Sequence, residues 1–384
     1  MKTSAVLFFS EKFILGVILP GILFLQISCS GPTGIIENPK SFMPPKPDPK
    51  GYVCYRATDI ITIDGLLNES DWAAAPWTSY FVDIEGDKKP VPLYKTRMKM
   101  LWDDEYLYIA AVLEEPHVWA TLRQRDTVIF YDNDFEVFID PDGDTHNYYE
   151  LEVNAFGTPW DLLLVKPYRD GGPAVINWDI NGLKVGTEIE GTINHPEDSD
   201  NGWSVEIAIP FQVLKECNKG SGLPAGGDRW RINFSRVEWR TLIEDGRYKK
   251  EINPSTGKPF PEYNWVWSPQ GFINMHMPEM WGYLQFSDIK AGAGNETFIP
   301  DKDLNKKWAL NMVYYAENGY YNEFKTYTSE MRLLGLGKGD FTGIITLPEI
   351  NATGSTFECY FPDREGNREW TIYQDGRIVN GKMN

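Results

Sequence analysis

Cysteine is scarce in this chain. Four occur in 384 residues, and no two stand in a Cys-x-x-Cys spacing, which argues against a structural zinc site. With Cys29 read separately below, Cys54, Cys217 and Cys359 leave room for one disulfide at most. An oxidising compartment would permit a Cys54–Cys217 bridge, although sequence alone does not show that the two are close. Positive charge is also short. There are 37 Lys and Arg against 55 Asp and Glu, a formal net charge of −18. Such a chain repels phosphates, so nucleic acid is excluded as a partner; a neutral ligand or bound cations are compatible. No internal repeat period and no catalytic motif stand out.

The N-terminus carries Lys2 and Lys12 and an apolar run from Phe13 to Ile27. Residues 1–28 read as a signal peptide, which does not belong to the fold. Cys29, with small residues beside it, resembles the lipidated cysteine of bacterial lipoproteins. An ordinary signal peptide or an uncleaved anchor are the other readings. The lack of an acidic run after Cys29 favours the periplasmic over the outer face. Residues 29–51, rich in Pro and Gly, read as an extended tether.

From Tyr52 to about residue 290 the pattern is one of short strands. "YKTRMKMLW" and "YLYIAAVL" form a hairpin, and "DFEVFID", "NYYELEVN", "GWSVEIAIP" and "DRWRINFSRVEW" alternate apolar and polar positions. Many strands with turn signals and little helix predict an antiparallel, jelly-roll-like β-sandwich. Residues 301–384 change character. A helix with Trp308, Met312, Tyr315 and Gly319 on one face precedes "STFECYF", "REWTIYQ" and "RIVNG". This predicts a small α+β unit, a long helix on an antiparallel sheet, with Gly319 and Gly335 as breaks or caps.

Two kinds of residue invite a function. Fourteen Trp is a heavy load. Trp72, Trp203, Trp230 and Trp281 fit the core. Trp119, Trp160, Trp239, Trp265 and Trp267 fall at strand ends or in loops, where an indole can serve as a platform. On the strands, Glu150, Glu152 and Asn154 share one side, and Lys95, Arg97 and Lys99 another. Planar acceptors and donors beside indoles suit sugars, whose C–H faces stack and whose hydroxyls both donate and accept. Asp140, Asp142 and Asp144 alternate around Gly143, as calcium-binding carboxylates do; a plain acidic β-turn reads equally well.

"TIDGLLNESDWAAAPW", "MLWDDEYLYIAAVLEEPHVWATL", "DNDFEVFIDPDGDTHNYYELEVNAFGT" and "INMHMPEMWGYLQF" together resemble the family 9 carbohydrate-binding modules and the wider DOMON-like superfamily, over residues 52–288. The resemblance implies a β-sandwich that clasps an oligo- or polysaccharide between two aromatic walls, with structural calcium. Carried onto this chain, the walls are Trp119 and Trp265 or Trp267, with Glu152, Asn154 and Arg97 bonding hydroxyls. Joined to the reading of Cys29, it makes the chain a non-catalytic carbohydrate-binding envelope lipoprotein, held to the membrane by its lipid anchor, in a context of polysaccharide breakdown. Two other readings stay open. A glycoside hydrolase accessory would need paired carboxylates, and Glu136, Glu150, Glu152, Asp132 and Asp134 supply the number. A haem b protein of the DOMON-like kind would draw on Met275, His276, Met277 or Met280.

Overall fold

Strand alternation organises the chain from residue 51 on. The structure is a computed structural model that describes residues 43–218 and 223–381; the signal segment and Cys29 lie outside the described residues. Eleven longer strands build the main body. They are β1 (Gly51–Arg56), β2 (Thr96–Trp102), β3 (Tyr106–Glu114), β4 (Asp134–Asp140), β5 (Tyr148–Asn154), β6 (Pro159–Leu164), β7 (Lys184–Glu190), β8 (Gly202–Pro210), β9 (Arg229–Glu238), β10 (Tyr263–Val266) and β11 (Gly282–Lys290). Their order is β6-β5-β4-β9-β11-β1-β2-β3-β8-β7, with β10 also paired to β9.

The sheet folds over itself into a mixed, sandwich-like body. Inner residues of β4, β5 and β9, among them Phe135, Val137, Tyr149, Leu151, Ile232 and Phe234, meet Met98, Met100, Ile109, Val205 and Ile207 of the other half in one core. The hairpin β2–β3 pairs Thr96 with Leu113 and Trp102 with Leu107, as its alternation predicts. The departure from an antiparallel sheet is β1, which runs parallel to both β11 and β2. Trp72, Trp203, Trp230 and Trp281 are buried. Cys54, Cys217 and Cys359 are free thiols, so the Cys54–Cys217 bridge is not formed.

The C-terminal stretch holds a 21-residue helix, Leu304–Phe324, against strands Glu349–Ala352, Phe357–Pro362, Arg368–Tyr373 and Ile378–Asn380. Gly319 is buried inside this helix and does not break it, whereas Gly335 ends a short turn with φ +71. Trp308, Val313 and Tyr314 form a second core with Phe357, Cys359 and Ile372. Met277 and Met280, from the segment before β11, pack into that core as well. The chain entering β1 is held too: Pro44 and Pro47 are buried, and Lys46 donates to Asn305 at 2.7 Å. From residue 43 onward, the stretch expected to be an extended tether is therefore held to the folded body, at Asn305 of the C-terminal helix and, through Lys50, at Ser268 and Ser79.

Candidate functional site

Strand register decides which side chains share the outer face of β6-β5-β4-β9. Trp160 lies opposite Glu152, Glu152 opposite Glu136, and Glu136 opposite Ser235. One row along, Leu162 faces Glu150, Glu150 faces Phe138, and Phe138 faces Asn233. On the other side, Asn154 faces Asp134 and Asp134 faces Val237. Alternation thus gathers Asp134, Glu136, Glu150 and Glu152 in one block, on the face turned away from the main core.

An apolar cluster bounds the block at each end. Phe138, Tyr148, Leu162 and Trp281, with Trp160 against them, form one. Trp119, Val237 and Trp239, with Phe130 and Tyr248, form the other. Over the second end lies Lys250, its Nζ 3.2 Å from the Trp239 ring centre and 5.5 Å from that of Tyr131.

The four carboxylates are nearly covered; Glu136 and Glu150 keep 5% and 6% exposure, Glu152 2% and Asp134 none. Burial, and then the charge of Glu136, lifts the Asp134 carboxyl far above the usual range. Burial raises Glu136 to about 7, and the charge of Glu262 adds to it. Glu150 and Glu152 rise for the same first reason, followed by the charge of Glu136 for Glu150 and those of Asp134, Glu136 and Glu150 for Glu152. Burial lowers Lys250 to about 8 despite the pull of Asp132, Glu262 and Asp134. Among the described residues no Lys, Arg or His closes an ion pair with any of the four. Glu152 accepts one bond, from the Phe130 amide at 2.8 Å. Both oxygens of Asp134, the Ser235 hydroxyl and the Trp160 indole N–H are buried without a hydrogen-bond partner. The Val237 amide leans toward Asp134, and the Ser235 hydroxyl toward Glu136, both outside bonding geometry.

The clasp expected from sequence is not assembled. Trp265 pairs with Arg236, which lies on the inner side of β9 with Phe234, so Trp265 and Trp267 point into the main core. Trp265 stacks on Tyr263 at 5.6 Å, and Trp267 meets Phe234 at 6.1 Å. Trp119 packs on Val237, on the opposite face of the same strand, and is itself buried. Two sides of one sheet cannot flank one ligand. Asn154 is spent as a clip: it donates to Leu122 O and Asp132 and accepts from the Phe156 and Thr158 amides. Arg97 belongs to β2, in the other half of the sandwich, where it stacks on Trp77 at 4.2 Å. Of the expected set only Glu152 joins the block.

The acidic turn closes on protein partners. Oxygens of Asp140, Asp142 and Asp144 do come within 4.8 Å of one another. However, Asp140 accepts the Gly143 and Thr145 amides at 2.9 Å each, and Asp144 accepts His146 N and the Arg377 guanidinium. The loop is a link to the C-terminal sheet, reinforced by Thr145 Oγ1 to Gly376 O and by Ile378 N to Asp144 O. The residues of the haem reading are likewise packed. His276 Nδ1 is 3.0 Å from Tyr148 OH, its ring meets Tyr168 at 4.5 Å, and the Met275 sulfur accepts from Gln270.

Residues 63–226 match the family described as carbohydrate family 9 binding domain-like. Across that span, which holds β4, β5 and β6, the chain is like the family 9 carbohydrate-binding modules. A stretch of 121 residues is 28% identical to Exoglucanase XynX of Acetivibrio thermocellus and 27% identical to Endo-1,4-beta-xylanase A of Thermoanaerobacterium saccharolyticum. It makes up 31% of this chain but 9% of each of those proteins. A family 9 module from Caldicellulosiruptor kristjanssonii, solved in complex with cellotriose, aligns over 65% of this chain and 100% of its own, at 14% identity and a TM-score of 0.40.

Proposed function

We propose that this protein binds a carbohydrate without cleaving it, on the outer face of β6-β5-β4-β9. The observation that carries the reading is the set of unsatisfied polar atoms there: Asp134 Oδ1 and Oδ2, Ser235 Oγ and Trp160 Nε1. Buried polar groups without partners are rare and each costs about 1–3 kcal/mol. A polyol offers donors to the carboxylates and acceptors to the indole and hydroxyl at the same spacing as its own hydroxyls. Trp160, Phe130 and the half-exposed Tyr131 supply rings for its C–H faces. The match of residues 63–226 to a carbohydrate-binding family supports the same ligand class.

Calorimetry tests this, beginning with glucose- and xylose-based oligosaccharides because the matched relatives are named an exoglucanase and an endo-1,4-beta-xylanase. Trp160→Ala and Glu136→Gln should each weaken binding by about tenfold or more, about 1.4 kcal/mol, with no sugar released by the wild type. Wild-type protein that binds none of a broad glycan panel would refute the reading. The protein is further proposed to be lipid-anchored in the envelope through Cys29, on the periplasmic side, on the strength of the apolar run before it. Cys29→Ser should move it from the membrane to the soluble fraction, whereas unchanged membrane association would point to an uncleaved segment.

A further inference from the structure

We propose that Asp134, Glu136 and Glu152 form a calcium site at the base of the outer face, separate from the acidic turn at Asp140. One oxygen from each of the three lies within 4.8 Å of the others. Three points so spaced can all lie within about 2.8 Å of a common centre, close to the 2.3–2.6 Å that calcium takes to carboxylate oxygen. The donors come from adjacent strands in fixed register, Glu136 opposite Glu152 and Asp134 two residues along. The site is therefore built into the sheet.

Two observations beyond the acidic cluster point to a cation. Asp134 is fully buried, with both oxygens unpartnered. Beside it, the fully buried Ser235 hydroxyl faces Glu136 and is also unpartnered. By contrast the Asp140 turn has amides and Arg377 to answer its charges. Carboxylates buried close together and held in no ion pair repel, Lys250 acting only from the Asp134 end, and a bound divalent ion relieves that repulsion. An all-oxygen donor set selects a hard cation. Calcium suits it better than magnesium, because sheet-borne carboxylates need not meet octahedral angles and the covered face leaves little space for the waters magnesium keeps. Sugar hydroxyls could complete the coordination, but the cation site does not depend on sugar binding.

The experiment uses the purified protein, stripped with chelator at pH 8 and titrated with calcium chloride in the absence of sugar, followed by calorimetry and thermal melting. Calcium should bind and raise the melting temperature. Asp134→Asn should abolish both effects while melting no lower than stripped wild type, because it removes a buried charge; Glu152→Gln should weaken binding by about tenfold or more. Asp142→Asn should leave the response intact. No response in wild type, or a response that survives Asp134→Asn and disappears in Asp142→Asn, would overturn the site. Calcium binding without any glycan binding would keep this site and remove the carbohydrate reading.

Discussion

Tryptophan position in the chain is a poor guide to tryptophan exposure here. Trp265 and Trp267 look like loop platforms because they fall at a strand end next to a turn signal, Ser268-Pro269, yet β10 pairs with β9 so that Trp265, and Trp267 just beyond the strand, fall on the core side. Trp265 also lies 5.2 Å from the Arg236 guanidinium, which is buried with Glu115 and Glu238. Its removal leaves a cavity and loosens a buried ion group. Trp265→Ala should therefore lower stability by about 3–5 kcal/mol, seen as an earlier midpoint in denaturant, while any protein still folded keeps its glycan affinity. A variant with wild-type stability and no glycan binding would restore Trp265 as a ligand wall. Trp160 is the reverse case, half-buried at the edge of the acidic block with its N–H unpaired.

Alternation made most of the strands readable, since a period of two sustained along a segment suits a half-buried strand and little else. "DFEVFID" and "NYYELEVN" became β4 and β5 with their apolar sets inward. The same parity puts Asp134 and Glu136 beside Glu150 and Glu152, so the acidic block was legible as soon as the two strands were taken as neighbours. The covering parts were not: Lys250 and Glu262 arrive from the segment between β9 and β10, which has no alternation linking it to β4. Nor could sequence show that β1 runs parallel to its neighbours, because parallel pairing depends on which distant strand fills the gap. The Asp140 turn shows the limit most clearly. Alternating aspartates around a glycine do not show that Asp144 also receives the Arg377 guanidinium, more than two hundred residues away along the chain.

Buried acids are spread through the protein, and together they set its response to pH. Burial raises Glu136, Glu206 and Glu317 to about 7 and Asp170 to about 6. Each therefore holds its proton more tightly in the folded than in the unfolded chain, whose carboxyls titrate near about 4. Between those two values the folded state binds more protons, so stability is greatest on the acid side and falls as pH rises through the folded value. His276 acts in the other direction: burial and Arg169 lower it to about 4, so its contribution is present above the unfolded value of about 6.5 and is lost on acidification. One histidine opposes at least four acids over the same window. The net slope is therefore downward, at about 1.4 kcal/mol per pH unit for each uncompensated proton. Chelator-treated protein should melt at a higher temperature at pH 5 than at pH 7.5. Glu317→Gln, which lies in the C-terminal helix away from the outer face, should flatten that slope without touching ligand binding. Calcium added at pH 7.5 should recover part of the lost stability, because it offsets the charge that Glu136, raised to about 7, takes on there. A melting temperature that climbs from pH 5 to 7.5 in chelator would mean that these carboxylates are charged and compensated in the folded protein, contrary to the burial that defines the site.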